Sequence, residues 1–141
     1  DFDVPDPPAG WQWFAVQLND GRDLMLTEIR GEDGAVSDRF GTFVSADGDV
    51  TSLTDADAIT VEVLSTWTSP NTDGEYPSEW RLSVASLGLD FQVSVTVADQ
   101  EIVSFLQPLP VYWEGSTEVT STFGDGEVSG CAYVELVGYA R

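Results

Sequence analysis

Two short stretches set a carboxylic acid among aromatic rings: Tyr112-Trp113-Glu114-Gly115 and Tyr133-Val134-Glu135-Leu136. A carboxyl group held in an apolar, aromatic-lined cavity tends to keep its proton and can then act as a general acid. Hydration of an isolated C=C bond needs such an acid to protonate the alkene, and a polarised water to trap the cation. Neighbouring π-faces stabilise that cation. Glu114, Glu135, Tyr112 and Tyr133 are therefore the candidate catalytic residues. Cyclisation of a flexible polyene asks less of residue type, because it needs a shaped cavity and one donor that polarises a carbonyl. Gln17, Trp13, Trp67, Tyr76, Trp80, Gln100 and Trp113 are the candidate ligand-binding residues for either reaction. The competing reading puts the glutamates in solvent and gives the rings ordinary packing roles, their N–H and O–H groups bonded to backbone.

The residue types that are missing narrow the chemistry further. The chain contains no histidine and no lysine. It therefore cannot build a Ser-His-Asp triad, a Cys-His dyad, an imidazole zinc site or a lysine Schiff base from its own residues. Cys131 is the single cysteine, which leaves no internal disulfide. No cofactor and no metal site is expected. Acidic pairs such as Asp47/Asp49, Asp55/Asp57 and Asp99/Glu101 fit no EF-hand loop and read as solvated turns.

The chain has 141 residues, 25 acids against 5 arginines, and a net charge of −20. That balance repels nucleic acid and anionic membrane surfaces. High-salt habitat or plain solubility would each account for it. With 42% apolar and 11% aromatic residues the chain nevertheless carries enough core material to fold, as one domain at this length. No apolar run reaches the roughly 18 residues of a membrane span. The sequence reads as soluble, placed in the cytoplasm or secreted after removal of a leader.

These side chains need elements to position them, and the chain offers short β-rich runs broken by glycine turns. Residues 1–10, with three prolines and three aspartates, read as an extended N-terminal segment, and 11–141 as one domain. Trp11–Leu18 and Asp23–Arg30 flank a Gly-containing turn and predict a hairpin. Further strands are expected near 40–46, 49–53, 59–68, 78–86, 88–97, 110–122 and 128–140. Turns fall at Asp33-Gly34, Asp47-Gly48, Asp73-Gly74 and Gly124-Asp125-Gly126. The best helical window is one turn at Thr54–Ala58, with Thr54 as cap. An all-β meander of about eight or nine antiparallel strands closes most economically as an up-and-down barrel, with a two-sheet sandwich as alternative. Alternation sorts Gln12, Phe14, Val16 and Leu18 from Trp11, Trp13, Ala15 and Gln17 without saying which set faces inward. The loop Pro70–Pro77 reads as a lid over one barrel mouth or as a plain connection.

The order of Trp11-x-Trp13-Phe14, Asp20-Gly21-Arg22, Trp67-Thr68-Ser69-Pro70, Tyr76-Pro77-x-x-Trp80, Asp99-Gln100-Glu101, Tyr112-Trp113-Glu114-Gly115 and Gly130-x-x-Tyr133-Val134-Glu135-Leu136-x-Gly138-Tyr139 resembles a known pattern. It is similar to the C-terminal lipocalin-like domain of the carotenoid 1,2-hydratase (hydroxyneurosporene synthase) and AttH-like family, over nearly the whole chain. The resemblance implies a lipocalin-like barrel and an elongated apolar ligand such as a polyene, isoprenoid or polyketide. Family members are usually two-domain proteins more than twice this length. Their hydratase chemistry is linked to a His/Trp-containing acidic motif that has no counterpart here, so the family's catalytic set is not carried over. Decalin-forming fungal cyclases resemble the same two-domain plan, which adds [4+2] cyclisation to hydration. A carrier without chemistry, or a structural half of a larger protein, are the alternatives. A homodimer and association with a further N-terminal domain are both open.

Overall fold

The computed structural model describes residues 9–104 and 110–140. Ten strands run β1 Gly10–Leu18, β2 Asp23–Arg30, β3 Val36–Val44, β4 Val50–Leu53, β5 Ile59–Thr68, β6 Glu75–Val84, β7 Leu89–Val95, β8 Glu101–Ile102, β9 Tyr112–Thr122 and β10 Gly130–Val137. They form one antiparallel sheet in the order β4-β3-β2-β1-β10-β9-β7-β6-β5, with the two-residue β8 paired to β9. Among the described residues no helix is long and apolar enough to cross a membrane.

The short link between β4 and β5 dictates the shape. These strands end the sheet on opposite sides, yet only residues 54–58 join Leu53 to Ile59. Six residue steps reach at most about 21 Å. A flat sheet of nine strands would hold its edges about 38 Å apart. The sheet must curl, and it forms a lipocalin-like half-barrel. The link itself contains a 3₁₀ turn at Ala56–Ala58, capped by the Asp55 side chain accepting from the Asp57 N–H, so the capping residue is Asp55 and not Thr54. The expected extended segment 1–10 lies mostly outside the described residues, and Gly10 already belongs to β1, opposite Arg30.

Register then fills the inside of the curl row by row. One row runs Trp113, Leu136, Gln12, Glu28, Arg39; the next runs Gly115, Val134, Phe14, Leu26, Gly41, Leu53. From the opposite wall come Trp80, Leu82, Phe91 and Val93, all fully buried. Phe14 meets Trp80 edge-to-face with ring centroids 5.5 Å apart, a favoured aromatic geometry. At Gly115 a Cβ would collide with the Gln100 side-chain amide, so glycine there leaves room for that amide against β9.

Candidate functional site

The interior is a packed core with a polar thread through it. Trp80 Nε1 donates to Gln12 Oε1 across the curl at 2.7 Å, Gln12 Nε2 donates to Glu28 Oε1 at 2.9 Å, and Arg39 Nε donates to Glu28 Oε2 at 2.8 Å. Each buried polar group in the thread thereby has a partner, the condition for burying it without a large cost. Arg30 follows Glu28 on the same face of β2, its guanidinium 4.0 Å above the Tyr139 ring. Burial raises the Tyr139 phenol well above its ordinary range, the Arg30 charge opposing this. Gln12, Glu28 and Arg39 were not among the sequence candidates. Their only signal was a polar residue in an otherwise apolar alternation.

The four candidate catalytic residues lie on the other side of the sheet. β9 turns Trp113, Gly115 and Thr117 inward, and β10 turns Ala132, Val134 and Leu136 inward, so Tyr112, Glu114, Tyr133 and Glu135 face away from the core. The expectation that they line the barrel interior is corrected by this one-residue phase: the set of each alternation that carries no glutamate took the core. They do come together. Glu114 is directly opposite Glu135, Glu135 is opposite Trp13, and Trp13 is opposite Thr27, which makes one continuous outward row across β9, β10, β1 and β2. The row beside it runs Tyr112, Val137, Trp11, Ile29.

Trp11, Trp13, Thr27, Ile29, Glu114 and Glu135 line an open groove of about 500 Å³. Trp11 Nε1 donates to Glu135 Oε1 at 2.6 Å, fixing the indole and the carboxylate against each other. Tyr133, 45% exposed, sits beside them. Its phenol is raised above the ordinary range by burial first, then by the charge of Glu114. An indole floor, two half-buried carboxylates and a phenol could bind an apolar frame and exchange protons with it. Trp11, Thr27 and Ile29 were missed as groove residues because β1 and β2 meet the glutamates only through the β1–β10 pairing.

The other candidate ligand-binding residues are distributed elsewhere. Gln17 is exposed at the far end of β1, opposite Cys131 and Asp23. Trp80 and Trp113 are core residues, the latter donating to Ala98 O at 2.8 Å. Gln100 braces backbone, donating to Val97 O and accepting from the Ser116 N–H. Trp67 stacks on Tyr76 at 6.2 Å, and Tyr76 lies 5.6 Å from Tyr139. For Trp113 and Gln100 the packing alternative, with polar groups satisfied by backbone, is what the structure adopts.

The expected Pro70–Pro77 loop is shorter in the structure, because Glu75–Pro77 already belong to β6, and the remaining turn is anchored to one carboxylate. Glu101 accepts from the hydroxyls of Ser69, Thr72 and Tyr76. Burial alone would raise Glu101, but these hydroxyls outweigh it and hold the carboxyl below the usual glutamate range. Tyr76 is raised, by burial first and then by Glu101. Asp73 takes the left-handed conformation, φ 57°, that closes the loop. Among the described residues no group of three or more acidic or cysteine side chains could hold a metal ion.

Comparison with known proteins identifies the fold and the family. An AttH-type protein from Nitrosomonas europaea superposes with a TM-score of 0.84 at 32% identity, covering 100% of this chain and 42% of that one. Kievitone hydratase from Nectria haematococca superposes with a TM-score of 0.75 at 22% identity, covering 96% and 41%; at that identity the likeness is one of fold. The chain thus spans less than half the length of either solved relative. No curated protein matches it. The AttH-like family matches residues 2–139, nearly every position from the lead-in to Tyr139, and the chain belongs to that family.

Proposed function

We propose that this domain binds an elongated apolar molecule, of the polyene, isoprenoid or polyketide class, in the outward groove of β1, β2, β9 and β10, and acts on it by hydration or by [4+2]-type cyclisation. The observation that carries the reading is the register itself. Glu114, Glu135 and Trp13 share one row, with Trp11 and Ile29 beside it, so two carboxylates stand over an apolar floor. Such a floor holds a hydrocarbon by burial, at about 25 cal/mol per Å² of apolar surface covered. The carboxyl groups then supply the proton that hydration needs. For cyclisation the groove shapes the substrate and Tyr133 or Trp11 polarises a carbonyl. The hydratase among the structural neighbours supports hydration as a chemistry the fold accommodates.

The test is incubation of the chain with linear polyenes and polyketide-like tetraenes, followed by chromatography and mass spectrometry. A product heavier by one water is expected for hydration, and an isomer of unchanged mass for cyclisation. Turnover that survives Glu114→Gln together with Glu135→Gln refutes the acid-base role. A second reading, in which the face braces a further domain, is favoured by one fact: both solved relatives are more than twice as long. Unaltered ligand that is retained by the protein points to a carrier, and no retention at all points to the bracing role.

A further inference from the structure

We infer that the groove recognises positive charge, and that its occupant is an organic monocation, such as a quaternary or tertiary ammonium carried on an apolar frame. This rests on the proposal that the groove is the ligand site, and adds a cationic ligand class to the neutral molecule that is protonated there. Glu114 and Glu135 stand directly opposite each other on adjacent strands, a like-charge pairing that destabilises a sheet. Among the described residues no arginine compensates them. Arg22 pairs with Asp20, Arg39 with Glu28 and Arg81 with Asp90, while Arg30 lies on the inner face over Tyr139.

The other occupants fit less well. An anion would meet two carboxylates in a chain of net charge −20. A neutral hydrocarbon is held by the rings alone and draws nothing from the carboxylates until it is protonated. A hydrated Ca²⁺ or Mg²⁺ on two carboxylates would keep most of its water and leave the indole rings uncovered, and among the described residues no third acidic side chain joins the pair. An organic cation satisfies both features of the groove, since its charge faces the carboxylates and its shell rests on ring faces. Trp11 is fixed at the site, because its N–H is spent on Glu135 and its side chain lines the groove. The same arrangement would stabilise the cation that forms when an alkene is protonated, so an ammonium would bind as a mimic of that state.

The experiment uses choline and its neutral isostere 3,3-dimethyl-1-butanol, titrated into the ¹⁵N-labelled chain at about 0.15 M salt, where diffuse charge effects are largely screened. The readout is the indole N–H signals of Trp11 and Trp13, assigned through Trp11→Phe and Trp13→Phe. Saturable shifts are expected with choline, with at least about tenfold weaker binding of the isostere, equivalent to about 1.4 kcal/mol. The double variant Glu114→Gln/Glu135→Gln should lose the choline response, while Asp47→Asn/Asp49→Asn, which removes the same charge at an exposed turn, should keep it. Equal shifts with both probes, no shift with choline, or equal loss in the two double variants overturns the inference. Should the glutamine pair fail to fold, the comparison of probes on the unaltered chain still decides. Choline binding without turnover of any polyene would leave the cation site standing and remove the catalytic reading. Turnover with no choline response would do the reverse.

Discussion

Replacing Arg39 by glutamine should destabilise the fold more than replacing Glu28 by glutamine, although the two form one ion pair. The asymmetry comes from burial. The Glu28 side chain is 4% exposed and the Arg39 side chain 29% exposed. Arg39→Gln leaves a carboxylate in the interior with Gln12 Nε2 as its remaining donor, and stranding a buried charge costs about 3–5 kcal/mol. Glu28→Gln removes that charge and leaves a guanidinium that can turn to water, for a cost nearer about 1–2 kcal/mol, the range of an ordinary lost hydrogen bond. The difference, about 2 kcal/mol, shifts a urea midpoint by about 1 M at the slopes usual for a chain of this size. Urea unfolding of the two variants at neutral pH, followed by tryptophan fluorescence, measures it directly. Equal midpoints, or a lower midpoint for Glu28→Gln, would show that the thread is not organised around the buried carboxylate.

Trp80→Phe keeps the ring but removes the indole donor to Gln12, and should cost about 1–3 kcal/mol in the same assay. Glu101 is held below the ordinary glutamate range in the fold, so its contribution is complete above the unfolded-state value and disappears as pH falls through the folded one. Stability measured between about pH 6 and pH 3 should therefore fall more steeply in the parent than in Glu101→Gln, with Glu101 values near 4.3 in the unfolded chain as reference. Gly115→Ala should expel the Gln100 amide, seen as loss of protection of the Ser116 amide in hydrogen exchange, since that N–H bonds to Gln100 Oε1. With a net charge of −20, raising salt from about 0.01 M to about 1 M shortens the Debye length from about 30 Å to about 3 Å and should raise the melting temperature by several degrees. A melting temperature indifferent to salt would remove the high-salt interpretation of the composition.

The sequence by itself determined that the chain is all-β, where most strands lie, and which residues of a strand share a face. Period-two alternation and Asp-Gly turns are local signals and survive without tertiary context. That is why β1, β2 and β5 agree with expectation to within a residue, and why the family pattern was legible from Trp11 to Tyr139. It also grouped Tyr112 with Glu114 and Tyr133 with Glu135. Which of two faces turns inward is a collective decision, because a shift of one residue exchanges every side chain of a strand. Only the assembled curl settled it, sending Trp113 and Leu136 into the core and Glu114 and Glu135 outward. The short 3₁₀ turn starts one residue later than expected, so Asp55 and not Thr54 caps it. The remaining links are non-local. Trp11 meets Glu135 across 124 positions, and Trp80 meets Gln12 across 68. The pairing of β1 with β10 and the curl that brings β6 over β1 create those contacts, and no spacing along the chain encodes them.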